Sequence, residues 1–423
     1  MQIVTADQAV SHIRSGDHVF VQGAAAVPQA LLAALVERAP ALRDVTVTHL
    51  HLEGPAPHLE PAMAGHFRHR ALFIGANARQ AVADGRAEYV PVFLSDVPSL
   101  MQRGAIQVDV ALINVTPPDR HGFCSLGTSV DVVLAALRSA RLVIAQLNPS
   151  VPRTLGDGIV PAARIDYGVA IDQPPHAAPP IEIDAVERQI GERIAALVPD
   201  RATIQMGIGA IPAAVALALT HHRDLGVHSE MITDVVVDLV ERGVVTGAHK
   251  EINRGKVVTA FMSGTPRLYA FADDNPQVEM RPADYTNDSA VIRRFHRMTA
   301  INSAVEVDLT GQVCADSIGH RLLSGVGGQM DFVRGAALAP EGRAIIALPS
   351  TAAGGSCSRI VATLRPGAGV VTTRAHVETV VTEHGVTDLV GRSIPERARA
   401  LIGLADPAFR EQLEREAREL RMI

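Results

Sequence analysis

The chain predicts an α/β protein made of two open domains with mainly parallel sheets. Short β-branched runs alternate with amphipathic stretches of helical period, which is the pattern of βα units around a parallel sheet. Glycine-bearing turns repeatedly separate a run from the stretch that follows it, and 34 Gly with 26 Pro imply many short, defined connections. The length of 423 residues suits two or three cores, and paired prolines break the rhythm near the middle.

In order along the chain, His18-Val19-Phe20-Val21-Gln22-Gly23 reads as a strand entering a Gly-Ala turn, and a helix follows from about Pro28 with leucines at helical spacing. Further strands are expected at Val45 to Leu50, Ala71 to Ile74, Val108 to Ile113 and Leu142 to Gln146. These complete a first domain, 1–180. Asp172-Gln173-Pro174-Pro175-His176-Ala177-Ala178-Pro179-Pro180 favours an extended linker. The second domain, 181–423, opens with a helix from about Asp184 to Val198 and the strand Thr203 to Met206.

Composition narrows the classes. A net charge of −6, 3% aromatic residues and no Trp argue against nucleic acid as a partner, because neither backbone attraction nor stacking platforms are supplied. Three scattered cysteines, Cys124, Cys314 and Cys357, suggest neither a disulfide framework nor a Cys-x-x-Cys metal site. The N-terminus lacks a signal-peptide pattern and no apolar run is long enough for a membrane span, so a soluble cytoplasmic protein is expected.

The chemistry-bearing segments lie mostly in the second half. Gly207-Ile208-Gly209-Ala210-Ile211-Pro212 follows a strand and opens a helix, so its backbone N–H groups suit a phosphate or carboxylate. Pro212 stands where a dinucleotide fingerprint needs its third glycine, which weakens a nicotinamide reading. Leu225-Gly226-Val227-His228-Ser229-Glu230-Met231-Ile232-Thr233-Asp234 places Glu230 at the expected end of the next strand, just before a helix. Ligands of open α/β sheets bind outside the carboxyl ends of strands, which makes Glu230 the candidate nucleophile. His228, two residues earlier, shares its strand face and is a candidate orienting group. In Ser324 to Ala336, Gly325, Gly327 and Gly328 precede an amphipathic segment; Gln329 offers an amide, and Asp331 with Arg334 reads as a structural pair.

Other chemistries find less support. No Gly-x-Ser-x-Gly elbow is present. His49, His51, His58, His66 and His69 hint at a metal hydrolase, but no tight motif of ligands plus acid accompanies them and no metal ligand is assigned.

Taken together, Gly23-Ala24-Ala25-Ala26, Asp109 to Gly127 with its Pro117-Pro118-Asp119-Arg120-His121-Gly122 loop, Gly207 to Pro212, Gly226 to Asp234, Asp308-Leu309-Thr310-Gly311-Gln312, Gly327-Gly328-Gln329 and Val381-Thr382-Glu383-His384-Gly385-Val386 follow one ordered pattern. With them the chain resembles the acetyl-CoA hydrolase/transferase family of class I CoA-transferases, especially its 4-hydroxybutyrate CoA-transferase-like members, over nearly its whole length. The resemblance implies a CoA-transferase fold with the active site between two domains and a homodimer or higher homo-oligomer. It implies no permanently bound cofactor, with coenzyme A and acyl-CoA as substrates alongside short-chain carboxylates. Glu230 matches the family's nucleophilic glutamate, with Ser229 in place of a usual Thr. The implied reaction is ping-pong through a glutamyl-CoA thioester, or acyl-CoA hydrolysis by the same glutamate. Gln329 and His228 would assist, and Gly23, Ala24 and Gly327 would donate N–H groups to oxyanions. Gly207, Ile208, Gly209, Ala210, Ile211, Gly325 and Gly328 would contact CoA. Val390, where relatives often carry Arg, and His384, where Tyr is common, depart from the pattern.

Overall fold

A computed structural model describes residues 1–179 and 181–423; Pro180, where the first domain is expected to end, lies outside the described residues. The chain divides into two compact units. The first holds Met1–Pro179, Val258–Thr286 and Leu323–Gly327; the second holds the described residues of Pro180–Val257 with Asn287–Leu322 and Gly328–Ile423. A division into two consecutive blocks therefore misses two returns of the chain, which hydrogen bonds explain. Met262 N donates to Thr128 O, Ala283 N donates to Asp131 O, and Arg281 pairs with Asp157 at 2.9 Å, so 258–286 belongs with the first unit. Arg79 Nε donates to Leu323 O and Val326 N donates to the Tyr89 hydroxyl, which ties down 323–327.

In the first unit eight strands stand in the order Gln2–Ile3, Tyr167–Ala170, Leu142–Leu147, Val110–Val115, His18–Val21, Val45–His49, Phe67–Ala71 and Ala87–Tyr89. Every neighbouring pair is parallel. Val110–Val115 and Leu142–Leu147 are buried throughout, as expected of central strands covered on both faces. The strand expected at Ala71 to Ile74 lies earlier, at Phe67–Ala71. Its alternating Phe67, His69 and Ala71 are buried while Arg68 is exposed, a period of two that the charged residues hide from a hydrophobicity reading. Residues 72–73 still donate N–H bonds to His49 and Leu50 carbonyls beyond the strand.

The second unit contributes six neighbouring strands in the order Gly226–Ile232, Thr203–Met206, Thr299–Ser303, Arg343–Ala347, Thr379–Thr382 and Gly385–Asp388. All pairings are parallel except the last, an antiparallel hairpin. The Ala185–Ala195 helix begins with a capping box between Asp184 and Glu187. One core packs Ile292, Phe295, Phe332, Val333, Ile346 and Val380 around this sheet. All three cysteines are free thiols. No helix among the described residues is long and apolar enough to cross a membrane.

Candidate active site

Glu230 sits within the Gly226–Ile232 strand rather than at its last residue, and the next helix starts at Asp234. The strand pairs in parallel with Thr203–Met206, Thr203 opposite Gly226 and Ile204 opposite Val227. Continuing that register sets Gly207 level with Glu230, and Ser229 Oγ donates to Met206 O at 3.1 Å. Carboxylate and glycine loop are therefore neighbours at the carboxyl edge of one sheet, the place where such sheets bind ligands.

His228 is fully buried, its ring 4.7 Å from Phe295 and 6.3 Å from Phe332. Phe332 belongs to the Gln329–Leu338 helix, one turn after Gly328. One helical turn rises about 5.4 Å and two strand residues about 6.6 Å, so a helix docked on His228 through Phe332 brings its start to Glu230. Gly328 confirms the match. A Cβ on it would fall 1.8 Å from Glu230 Oε2 and 2.1 Å from Asn287 Nδ2. Its backbone angles, φ −96° and ψ 5°, suit any residue, so volume alone requires glycine here. The positive end of the helix dipole then faces a carboxylate, an attraction typically of about 0.3–1 kcal/mol.

Asn287 Nδ2 donates to Glu230 Oε2 at 2.9 Å, and the same amide reaches Asp331 Oδ2 at 3.3 Å. Asn287 is fully buried and Glu230 half-buried, so the amide is a fixed donor beneath a carboxylate that keeps an open side. Sequence reasoning missed Asn287. Its only signal is a place beside Asp288, which caps the short Ser289–Ile292 helix, and that reads as ordinary turn chemistry. Asp331, expected to pair with Arg334, instead accepts from this amide. Gln329 begins the helix, and its buried Nε2 has no hydrogen-bond partner among the described residues.

The Gly207 to Ile211 loop leads into the Ala210–Ala218 helix, capped by Gly209 at φ 110° and ψ −175°, a conformation open essentially to glycine alone. Nothing lies within 4 Å of a Cβ built on Gly207 or Gly209, and Ile208 is 59% exposed. In the first unit a Cβ on Gly23 would meet His51 O at 2.5 Å, while Ala24, at φ 50°, donates its N–H to that same carbonyl. Ala24 therefore has no spare amide proton for an oxyanion, which corrects its expected role. Gly325 and Gly327 pack on Phe73, and Gly327 adopts φ 55°. Of the five histidines noted above, His49, His58 and His69 converge in the first unit; His51 turns to Glu53 at 3.6 Å and His66 bonds Arg43 at 2.7 Å. Val390 is exposed, and His384 lies 3.6 Å from Asp406.

A parallel α/β sheet that presents a buttressed carboxylate and a glycine loop at its carboxyl edge has the arrangement of an α/β enzyme with its candidate site at the strand ends. The comparisons make this specific. Residues 1–178 match the acetyl-CoA hydrolase/transferase N-terminal domain and 264–417 match the C-terminal domain of the same family. The chain is 47% identical to a 4-hydroxybutyrate coenzyme A transferase of Clostridium kluyveri, over 98% of this chain and 97% of that one. It is likewise 47% identical to a succinyl-CoA:acetate/propanoyl-CoA:succinate CoA transferase of Fasciola hepatica, over 97% and 86% of the two chains. The crystal structure of RipA from Yersinia pestis superposes with a TM-score of 0.94 at 35% identity, covering 100% of this chain and 98% of that one. The chain belongs to the acetyl-CoA hydrolase/transferase family and is an acyl-CoA:carboxylate CoA-transferase, for which CoA and acyl-CoA are substrates.

Proposed function

We propose that the enzyme moves CoA from an acyl-CoA to a short-chain acid of the 4-hydroxybutyrate, acetate or butyrate kind, by a ping-pong route through a glutamyl-CoA thioester on Glu230. The observation that carries this reading is the seating of Glu230 Oε2 between the buried Asn287 amide and the bare Cα of Gly328. One carboxylate oxygen is held while the group keeps an open side for attack. Glu230 attacks the acyl carbonyl, and the tetrahedral adduct expels CoA as its thiolate, leaving a mixed anhydride of the acyl group and Glu230. The thiolate then attacks the glutamyl carbonyl, expelling the donor acid as carboxylate and leaving the glutamyl thioester. An acceptor carboxylate attacks that thioester and the same two steps run in reverse.

The oxyanions of these additions need preformed donors. The unpartnered Gln329 amide supports its assignment to one of them. His228 acts by position, anchoring through Phe332 the helix that abuts the nucleophile. The open loop at Gly207, Ile208, Gly209, Ala210 and Ile211 supports a role in holding CoA, its exposed Ile208 offering an apolar contact and its helix start an anion site. Gly325 remains a CoA candidate, whereas the space beside Gly328 is filled by Glu230 itself.

Intact-mass measurement after incubation with acyl-CoA, followed by peptide mapping, tests the reading. A CoA-sized adduct on Glu230, discharged by hydroxylamine and absent from Glu230→Ala, is expected. An adduct on another residue would overturn the assignment. A panel of carboxylates then separates transfer from hydrolysis: CoA release at an unchanged rate without any acceptor, and no new thioester with one, would make water the acceptor.

A further inference from the structure

The histidine cluster of the first unit lies outside the transfer chemistry and has a geometry of its own. His49 ends the Val45–His49 strand, His69 sits in the neighbouring Phe67–Ala71 strand, and His58 comes from the Pro57–Leu59 turn between them. In the parallel register Val47 faces His69 and His49 faces Ala71, so the period of two brings both histidines to one side of the sheet. His49 Nε2 is 3.0 Å from His69 Nε2, and His69 Nδ1 is 2.9 Å from His58 Nε2. All three rings are buried, with 0%, 3% and 2% exposure for His49, His58 and His69.

Proton counting shows that this arrangement does not satisfy itself. A neutral imidazole carries one ring proton. His69 can donate to one neighbour and accept from the other, and in either direction the remaining proton falls on Nδ1 of His49 or of His58. Neither Nδ1 has a partner at hydrogen-bonding geometry. A buried N–H left over in this way is destabilising.

We infer that His49, His58 and His69 form a binding site for a divalent transition-metal ion of the zinc class, one that staples two strands and the turn between them. One nitrogen from each ring lies within 4.8 Å of the others, and neutral imidazole is the ligating form. Zinc–nitrogen bonds of about 2.0–2.1 Å place tetrahedral ligands roughly 3.3 Å apart, so on binding the rings must draw in from a spread of up to 4.8 Å and His69 must give up one of its two ring contacts. A water or an anion would complete the shell. The ion has no part in the proposed transfer steps, so failure of this inference leaves that reading untouched.

The test uses the full-length protein, produced in zinc-supplemented medium and dialysed exhaustively against metal-free buffer, with metal measured by plasma mass spectrometry. About one equivalent of zinc per chain is expected, falling to less than about a tenth in His58→Asn and His69→Asn. Chelator-treated protein titrated with Co²⁺ should show the ligand-field bands of a tetrahedral nitrogen-rich site in the visible, absent from His58→Asn. His58 lies outside the strands, so that variant is the one expected to fold, as circular dichroism and retained CoA transfer would verify. Wild-type protein without stoichiometric zinc or cobalt bands, or a folded His58→Asn that binds metal as the wild type does, would overturn the site. Should His58→Asn fail to fold, the wild-type stoichiometry and cobalt spectrum alone decide it.

Discussion

Two glycine-rich turns frame the candidate site, and they use glycine for opposite reasons. At Gly209 the backbone demands it: φ 110° with ψ −175° excludes other residues, yet the space around it is open. At Gly328 the backbone would accept any residue, yet the Glu230 carboxylate occupies the volume a Cβ would need. One turn leaves its surface bare. The other brings a helix against the Glu230 carboxylate. A glycine count treats them alike, and only their surroundings tell them apart.

The sharpest way to break this contrast is Gly328→Ala. The methyl group must push the carboxylate aside, and a displacement of about 1 Å at a reacting group can cost on the order of 100-fold in rate. We expect kcat to fall by that order while circular dichroism stays native; unchanged turnover would refute the volume argument. Asn287→Ala removes the donor to Oε2 and should lower kcat/KM by about tenfold or more, the worth of a hydrogen bond to a charged group. An effect on thermal stability alone would make Asn287 a structural residue.

Gly209→Ala should act through the fold instead, costing about 1–3 kcal/mol of backbone strain that urea unfolding would read as a lower midpoint. If it lost activity with stability intact, the assignment of strain to this turn would be wrong. Gly207→Ala is the mildest change. With nothing in reach of the new methyl group, stability should stay within about 0.5 kcal/mol, and KM for acyl-CoA should rise with kcat retained if the loop holds CoA. A KM equal to wild type would remove this loop from the CoA site.

Much of this was legible because the relevant signals are local. The apolar run expected as a strand at Val108 to Ile113 has few alternatives to a buried strand and lies two residues later, at Val110–Val115, and Gly207-x-Gly209 after a strand announces a turn with free N–H groups. Phe67–Ala71 escaped because its charged residues alternate with buried ones, among them His69, which hydrophobicity scales count as polar. Asn287 escaped because its meaning lies in a residue 57 positions away. The returns at 258–286 and 323–327 escaped because backbone bonds such as Met262 N to Thr128 O leave no trace in composition.

By itself, then, the sequence determined the α/β class and the order of its elements and singled out Glu230 as a candidate, since periodicity, turn chemistry and motif order are properties of neighbouring residues. Tertiary structure decided what surrounds that carboxylate: the Asn287 amide, the vacant Cβ position of Gly328 and the helix anchored through His228 and Phe332. It also gathered His49, His58 and His69 while sending His51 and His66 elsewhere. The physical reason is the same in both places. Hydrogen bonds and excluded volume act across ångströms of space, and the chain reaches those distances only after it has folded.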